Sequence, residues 1–386
     1  MSNGELYAGR EQTLVKHFIL QKYLERFAYI VGSHWDVLTY VDCFSGPWNA
    51  RSERFEDSSF AIALKELRNA RDALAKRGRN VQLRCFFLEM NRAAYAKLKE
   101  FADSVTDAKI ETRNATLEES VHAITDFVRR GGAKAFPFVF IDPTGWTGFE
   151  METITPLLRL NPGEVLINFM TGHIRRFLDS PQEETQESFK RLFGSGAFRT
   201  KVQGLAQLER EDAAVEEYAR NAKSVGGFKV GCNAIVLHPE MDRTHFNLIY
   251  LTRNLKGIEV FKDAEKKAME VQEVARAGAQ QRKRIARKGQ SELFGSKELH
   301  DSTHYESLRE RYLTKARGLV LQELELKHRL LYDDAWTLAL SEPMSWESDL
   351  KQWIEEWKEE GLLEVVGMQP RQRVPHRGEK NFLIWK

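Results

Sequence analysis

Cysteine is scarce in this chain: only Cys43, Cys85 and Cys232 occur among 386 residues, scattered and matching no paired motif. A disulfide framework or a cysteine-based zinc site is therefore not expected, and no metal ligand set is read. Long apolar runs are also missing; none reaches the ~18 residues that mark a membrane-spanning helix. The opening stretch, MSNGELYAGR, holds no apolar core of the kind a secretory signal requires. The expectation is a cytoplasmic protein with no membrane partner. Charge of one sign is lacking too, with a formal net charge of +2. Overall charge thus identifies no polyanionic partner, and any nucleic-acid contact has to come from local basic clusters.

What is present describes a globular protein: 42% hydrophobic, 30% charged and 11% aromatic residues. The length suggests two or three domains. Thr13 to Tyr29 carries apolar residues at helical spacing, giving an amphipathic helix ahead of the first strand. Lys16 and His17 lie on it, with solvent-facing or capping roles expected and a pocket-facing His17 as the alternative.

Short continuous apolar runs then alternate with helical segments. Strands are expected at Leu38–Asp42, Val81–Leu88, Lys109–Thr112, Pro137–Ile141 and Glu164–Met170. Helices are expected at Phe60–Ala75, Arg92–Phe101, Leu117–Arg130 and about Met151–Leu160. This is the pattern of a doubly wound, mostly parallel α/β sheet covered on both faces. The strands end in polar residues, Asp42, Glu89, Asn114, Asp142 and Asn168, and open α/β sheets bind ligands at that end. The connection from Cys43 to Ser59 is long for a βα loop, as functional loops often are, and Ser58 and Ser59 are candidate caps for the helix that follows. A charged helical insertion is expected at about 180–227. Two more strands, Cys232–His238 and His245–Thr252, are joined by a hairpin-length connection.

The densest basic run, Arg282, Lys283, Arg284, Arg287 and Lys288, reads as a linker or exposed helix end, with nucleic-acid backbone contact as the sharper alternative. From Tyr305 onward, three helices and two strands form the winged-helix pattern, with Ser345 a candidate cap for the third helix. That helix is acidic and poorly suited to phosphate. The loop between the strands carries Arg371, Arg373, His376, Arg377 and Lys380 and could grip a backbone; a protein-binding winged helix is the competing reading.

Two strand ends could carry chemistry. In DCFSGPW, Asp42 to Trp48, the small Ser45-Gly46 turn lets a backbone approach a nucleoside closely, and Glu89 is placed for ribose hydroxyls. The bland reading is a turn and a surface cap. In FIDPTGW, Phe140 to Trp146, Asp142 and carbonyls near Pro143 could hold an amino group while Trp146 stacks on a base. The alternative is a βα turn with Trp146 packed on the core. A magnesium nuclease built on Asp42, Glu89 and Asp142 is a weaker third reading, since no motif fixes metal geometry.

DCFSGP, FFLEMN, RNATLEE and FIDPTGW, in that order, resemble class I S-adenosylmethionine-dependent methyltransferases, especially those that methylate amines of nucleic acids. KHFILQKYL, YVDCFSGP, FIDPTGWTGF and LTRNLKGIEVFKDA more closely resemble the bacterial three-Cys-motif partner protein family, over roughly residues 13–275. The resemblance implies a Rossmann-like class I methyltransferase fold for the domain at 1–275; the residues beyond it read as a basic linker at 276–304 and a winged-helix-like domain at 305–386. It also implies S-adenosylmethionine as cofactor, with Asp42, Phe44 and Gly46 flanking its methionine part, Glu89 its ribose and Asn114 its adenine. Asp142, Pro143 and Trp146 would form the target-amine site. A three-cysteine-motif protein would be the partner. Two departures stand out: Trp48 replaces the last glycine of the usual D-x-F-x-G-x-G loop, and Thr144-Gly145 displaces the catalytic aromatic to Trp146.

Overall fold

The computed structural model describes residues 6–46, 50–178, 180–288, 295–296 and 300–386. The chain divides into two compact units, 1–231 with 235–299, and 300–386 with 232–234.

The first unit opens with helix α1 (Glu11–Gly32), which buries Ile19, Leu20, Tyr23, Leu24 and Phe27. Strand β1 (Val37–Asp42) follows, buried along its whole length. Next come α2 (Ser59–Ala75), β2 (Gln82–Leu88), α3 (Arg92–Ser104), β3 (Lys109–Arg113), α4 (Leu117–Arg129), β4 (Ala135–Ile141), α5 (Met151–Leu158) and β5 (Glu164–Phe169). Helices α6 (Thr171–Phe177), α7 (Glu183–Phe193), α8 (Phe198–Val202) and α9 (Gln207–Gly226) form the insertion, so helix resumes directly after β5 rather than at about residue 180. Strands β6 (Val230–Leu237) and β7 (Thr244–Thr252) and the long helix α10 (Leu255–Lys288) complete the unit.

Local chemistry explains several boundaries. The Asn91 side chain caps α3 by accepting from the Ala94 N–H at 2.9 Å. Thr116 and Glu119 form a reciprocal capping box on α4. Gly194 and Gly227, both left-handed, end α7 and α9, a conformation that side chains resist.

The seven-stranded sheet has the order β3-β2-β1-β4-β5-β7-β6. β1 pairs in parallel with both β2 and β4, β2 with β3, and β4 with β5, while β7 runs antiparallel to β5. The order therefore reverses between β1 and β4. Asp42 lies level with Phe87 on one side and Phe140 on the other, so Glu89 and Asp142 stand two residues further out on the flanking strands. Among the described residues no helix is long and apolar enough to cross a membrane.

The basic run, read as a linker or an exposed helix end, is a helix end: α10 continues through it to Lys288, past residue 276 where the linker was expected to start. The reason is visible at Arg276, whose guanidinium is buried and binds Asp242 at 2.6 Å and the His238 carbonyl at 3.3 Å, anchoring the helix where its composition turns polar.

The second unit holds α11 (Thr303–Lys327), β8 (Arg329–Leu331), α12 (Tyr332–Ser341), α13 (Glu347–Glu359), β9 (Leu363–Val366) and β10 (Phe382–Trp385). Its sheet order is β8-β10-β9, all antiparallel. The three helices and final hairpin match the sequence pattern; β8 is an addition too short to leave an apolar period. Tyr332, Trp336, Leu350, Ile354 and Leu383 make its core. Ser345 lies just outside α13, and the Trp346 N–H there is bound by Asp349 at 2.9 Å.

Candidate active site at the carboxyl ends of the central strands

Asp42 is fully buried at the end of β1. Its Oδ2 accepts from the Ser59 hydroxyl at 2.6 Å and the Tyr40 hydroxyl at 3.3 Å, and its Oδ1 from the Phe44 N–H at 3.2 Å. Burial raises its pKa to about 6, against these hydrogen bonds, and the Asp142 charge adds to the rise. Ser59, read as a cap, instead spends its hydroxyl on Asp42; Ser58 sits at the helix start without a side-chain cap bond.

The turn after β1 is tied to β2. The Ser45 N–H donates to the Leu88 carbonyl at 2.8 Å, its hydroxyl to the Asp42 carbonyl at 2.9 Å, and Phe44 packs partly buried on the core. Gly46 is the last described residue of that turn, and Pro47 and Trp48 lie outside the described residues. At the end of β2, Glu89 is 4% exposed and accepts from the Asn91 N–H at 2.5 Å. Asn114 is itself exposed and donates through its amide to the carbonyls of Glu89 and Met90 at 2.8 and 3.0 Å. Asn114 thus holds the β2 end in place, with the Met90 side chain 69% exposed beside it.

Asp142, just past β4, is the centre of a charged cluster. Its Oδ2 accepts from Lys16 Nζ at 2.5 Å and its Oδ1 from Asn168 Nδ2 at 2.6 Å. Lys16 reaches it from α1 and is neither solvent-facing nor a cap; its side chain and that of Asp142 are each 12% exposed. Lys16 Nζ also lies 5.7 Å from the Phe246 ring centroid. Asn168 is 2% exposed, and its Oδ1 has no partner among the described residues. A buried acceptor without a partner is costly, so this atom invites an N–H donor.

His17 does not join this cluster; it lines a separate pocket with Leu14, Phe18 and Gln21. It is buried against the Tyr7 hydroxyl at 2.9 Å, and burial pushes its pKa down to about 3, with the Lys16 and Arg10 charges contributing. His245 is likewise lowered to about 4, by burial first and then by His238, Arg243 and Lys16. Pro143 is buried in the turn. Trp146 is half-buried against the insertion, with ring centroids 4.7 Å from Phe177, 5.3 Å from His173 and 5.7 Å from Phe189.

The structure therefore brings Asp42, Glu89 and Asp142 to one end of three adjacent strands. Lys16 could not be assigned there from sequence, because its partner lies 126 residues away. Among the described residues no three or more His, Cys, Asp or Glu side chains are grouped to hold a metal ion.

In the basic segments, Arg282 pairs with Glu11 and Lys283 with Glu240, while Arg287 is exposed; nothing is described of the Lys288 side chain. In the loop between β9 and β10, Arg371, Arg373, His376 and Lys380 are exposed, whereas the Arg377 guanidinium lies 4.9 Å from the Trp336 ring centroid. Asn381 organises this loop: its Oδ1 accepts from the His376 N–H at 2.9 Å and its Nδ2 donates to the Gly367 carbonyl at 2.8 Å.

The strand order, the antiparallel β7 and the reversal between β1 and β4 define a Rossmann-like fold of the class I methyltransferase type. No family model matches the sequence, and no curated protein matches it. Among solved structures, a Legionella pneumophila protein of the DUF519 family model is 12% identical, with 64% of this chain and 86% of that one covered at a TM-score of 0.35. A loganic acid methyltransferase with SAH is 8% identical, with 73% and 89% covered at 0.31. The methyltransferase CalO6 is 12% identical, with 56% and 57% covered at 0.25. Likenesses this low carry no argument about activity, and the fold assignment rests on the sheet itself.

Proposed function

We propose that this protein is an S-adenosylmethionine-dependent methyltransferase acting on an exocyclic amine of nucleic acid. The observation that carries the reading is the partnerless, buried Asn168 Oδ1 beside Asp142: it offers one open acceptor to an amine N–H, and Asp142 becomes a second once Lys16 is displaced. The cofactor would lie across the ends of β1 and β2. There Ser45 and Gly46 line its approach, Phe44 flanks its methionine part, Glu89 takes its ribose hydroxyls, and Asn114 fixes the β2 turn beside the adenine. S-adenosylmethionine supplies an activated methyl group as a sulfonium. This chain's contribution is alignment and exclusion of water, with the Asp142 carboxylate and the carbonyl near Pro143 orienting the acceptor nitrogen. Trp146, packed on Phe177 and Phe189, supports that turn from behind. The exposed Arg371 and Arg373 of a winged-helix-like second unit would hold the nucleic-acid backbone, and the basic end of α10 is a further segment suited to it.

A second reading has its own support. The Lys16 ammonium already occupies Asp142, as expected of a non-catalytic subunit that keeps the fold and works with a three-cysteine-motif protein, in line with the partner-family resemblance. Titration calorimetry separates the two. Micromolar binding of S-adenosylmethionine, lost in Glu89→Ala, is the expected result for the enzyme. No binding at millimolar ligand, restored by Trp48→Gly, would instead establish the non-catalytic reading.

A further inference from the structure

The acceptor position at Asp142 already holds an amine, and it belongs to the chain itself. Lys16 Nζ lies 2.5 Å from Asp142 Oδ2, the other carboxylate oxygen is held by Asn168 at 2.6 Å, and the Phe246 ring lies 5.7 Å from the nitrogen. A carboxylate on one side and an aromatic face nearby suit an alkylamine that remains cationic after methylation. Lys16 is presented by a fixed element. Further along α1, Gln21 is bonded to Glu66 at 2.8 Å, and Tyr23, two turns beyond Lys16, is bonded to Glu164 and to Tyr250. With both side chains 12% exposed, water has little access to the pair.

We propose that Lys16 is a self-methylation site: once S-adenosylmethionine fills the pocket argued for above, on which this rests, Lys16 is the amine that receives the methyl group when no nucleic acid is bound. Energetics favour the resident amine. A charge-assisted hydrogen bond to a carboxylate is about twice as strong as one from a neutral base amine. An external amine therefore has to bring binding energy from elsewhere to displace Lys16, and an intramolecular acceptor carries no association cost.

The step balances. The Lys16 ammonium loses one proton, through Asp142 to solvent, and the freed lone pair attacks the sulfonium methyl carbon. The carbon–sulfur bond breaks with its electron pair remaining on sulfur. The products are S-adenosylhomocysteine and a methylated, cationic Lys16, with one proton released. Methylation keeps the positive charge but removes a donor from the ammonium, weakening its hold on Asp142 and opening the site to an external amine.

The test uses the full chain, purified free of nucleic acid and incubated with methyl-labelled S-adenosylmethionine, with cofactor binding measured calorimetrically on the same sample. The expected result is label that peptide mapping assigns to Lys16, absent in Lys16→Arg, which keeps the cation but lacks the primary amine. Added duplex or RNA should suppress the labelling by competing for Asp142. Cofactor binding with no label on Lys16 in the wild-type chain overturns the self-methylation proposal and leaves the methyltransferase reading standing. Absence of cofactor binding overturns both. Label confined to other lysines also overturns it, since no other lysine is placed at Asp142 among the described residues.

Discussion

At the scale of the residue, Asp42 shows how a buried acid at a strand end is kept at a cost to stability. It is fully buried, and its pKa of about 6 in the fold stands above the ordinary aspartate value of 3.8. The folded state therefore binds its proton more tightly than the unfolded chain. The stabilising contribution of this group is fully present below pH ~4 and is lost as pH rises through ~6. Asp42→Asn removes the penalty of holding a buried anion while keeping an acceptor for Ser59. Urea unfolding should show the variant more stable than wild type by about 1–3 kcal/mol at neutral pH, with the difference shrinking toward zero in acid. A difference independent of pH would mean that lost hydrogen bonds, not ionisation, set the effect.

At the scale of the element, the buried bonds around Glu164 join α1 to the far half of the sheet. Glu164, at the start of β5, accepts from the Tyr23 hydroxyl of α1 and from the Thr252 hydroxyl of β7 at 2.8 Å, and Tyr23 and Tyr250 share a further bond at 2.7 Å. Burial raises the Glu164 pKa, so the carboxyl is retained here as an acceptor for these hydroxyls. Gly257, near the start of α10, is required by the same cluster, since a Cβ there would collide with the Tyr250 hydroxyl. Glu164→Ala should cost about 1–3 kcal/mol by removing the buried acceptor that the Tyr23 and Thr252 hydroxyls share. Glu164→Gln, which keeps an acceptor, should cost less, as comparison of denaturant midpoints would show. These side-chain ties explain what was legible in the chain. The buried strands declared themselves as continuous apolar runs, and Asp42, Glu89 and Asp142 as polar residues ending them. Lys16 carried no such signal, since a lysine on an amphipathic helix reads the same whether it faces water or a carboxylate from a distant strand. β8 was too short for any period, and the helical continuation to Lys288 depends on Arg276 finding Asp242 and His238, pairings that composition does not reveal.

At the scale of the whole molecule, charge acts locally rather than globally. A net charge of +2 gives no global attraction to nucleic acid, and Arg282 and Lys283 are engaged by Glu11 and Glu240. In the second unit the acids of α13 are themselves paired, Asp349 with Arg309 and Glu356 with Arg317, leaving Arg371 and Arg373 exposed on the loop between β9 and β10. The double variant Arg371→Ala, Arg373→Ala should weaken duplex binding similarly for unrelated sequences. It should also lower the slope of log affinity against log salt by about 0.9 for each phosphate no longer neutralised, with cofactor binding unchanged. An unchanged slope in fluorescence anisotropy would remove this loop from the interface. The placement of α1 has a consequence for synthesis. Lys16 is made 126 residues before Asp142, and Tyr23 is made 227 residues before Tyr250. On the ribosome, α1 meets α2 soon after it emerges, whereas its bonds to Glu164 and Tyr250 wait for most of the unit's translation. A nascent chain stalled before β7 thus has Phe27 already met by Phe136 and Phe138 of β4, but leaves the buried Tyr23 hydroxyl without its Tyr250 partner.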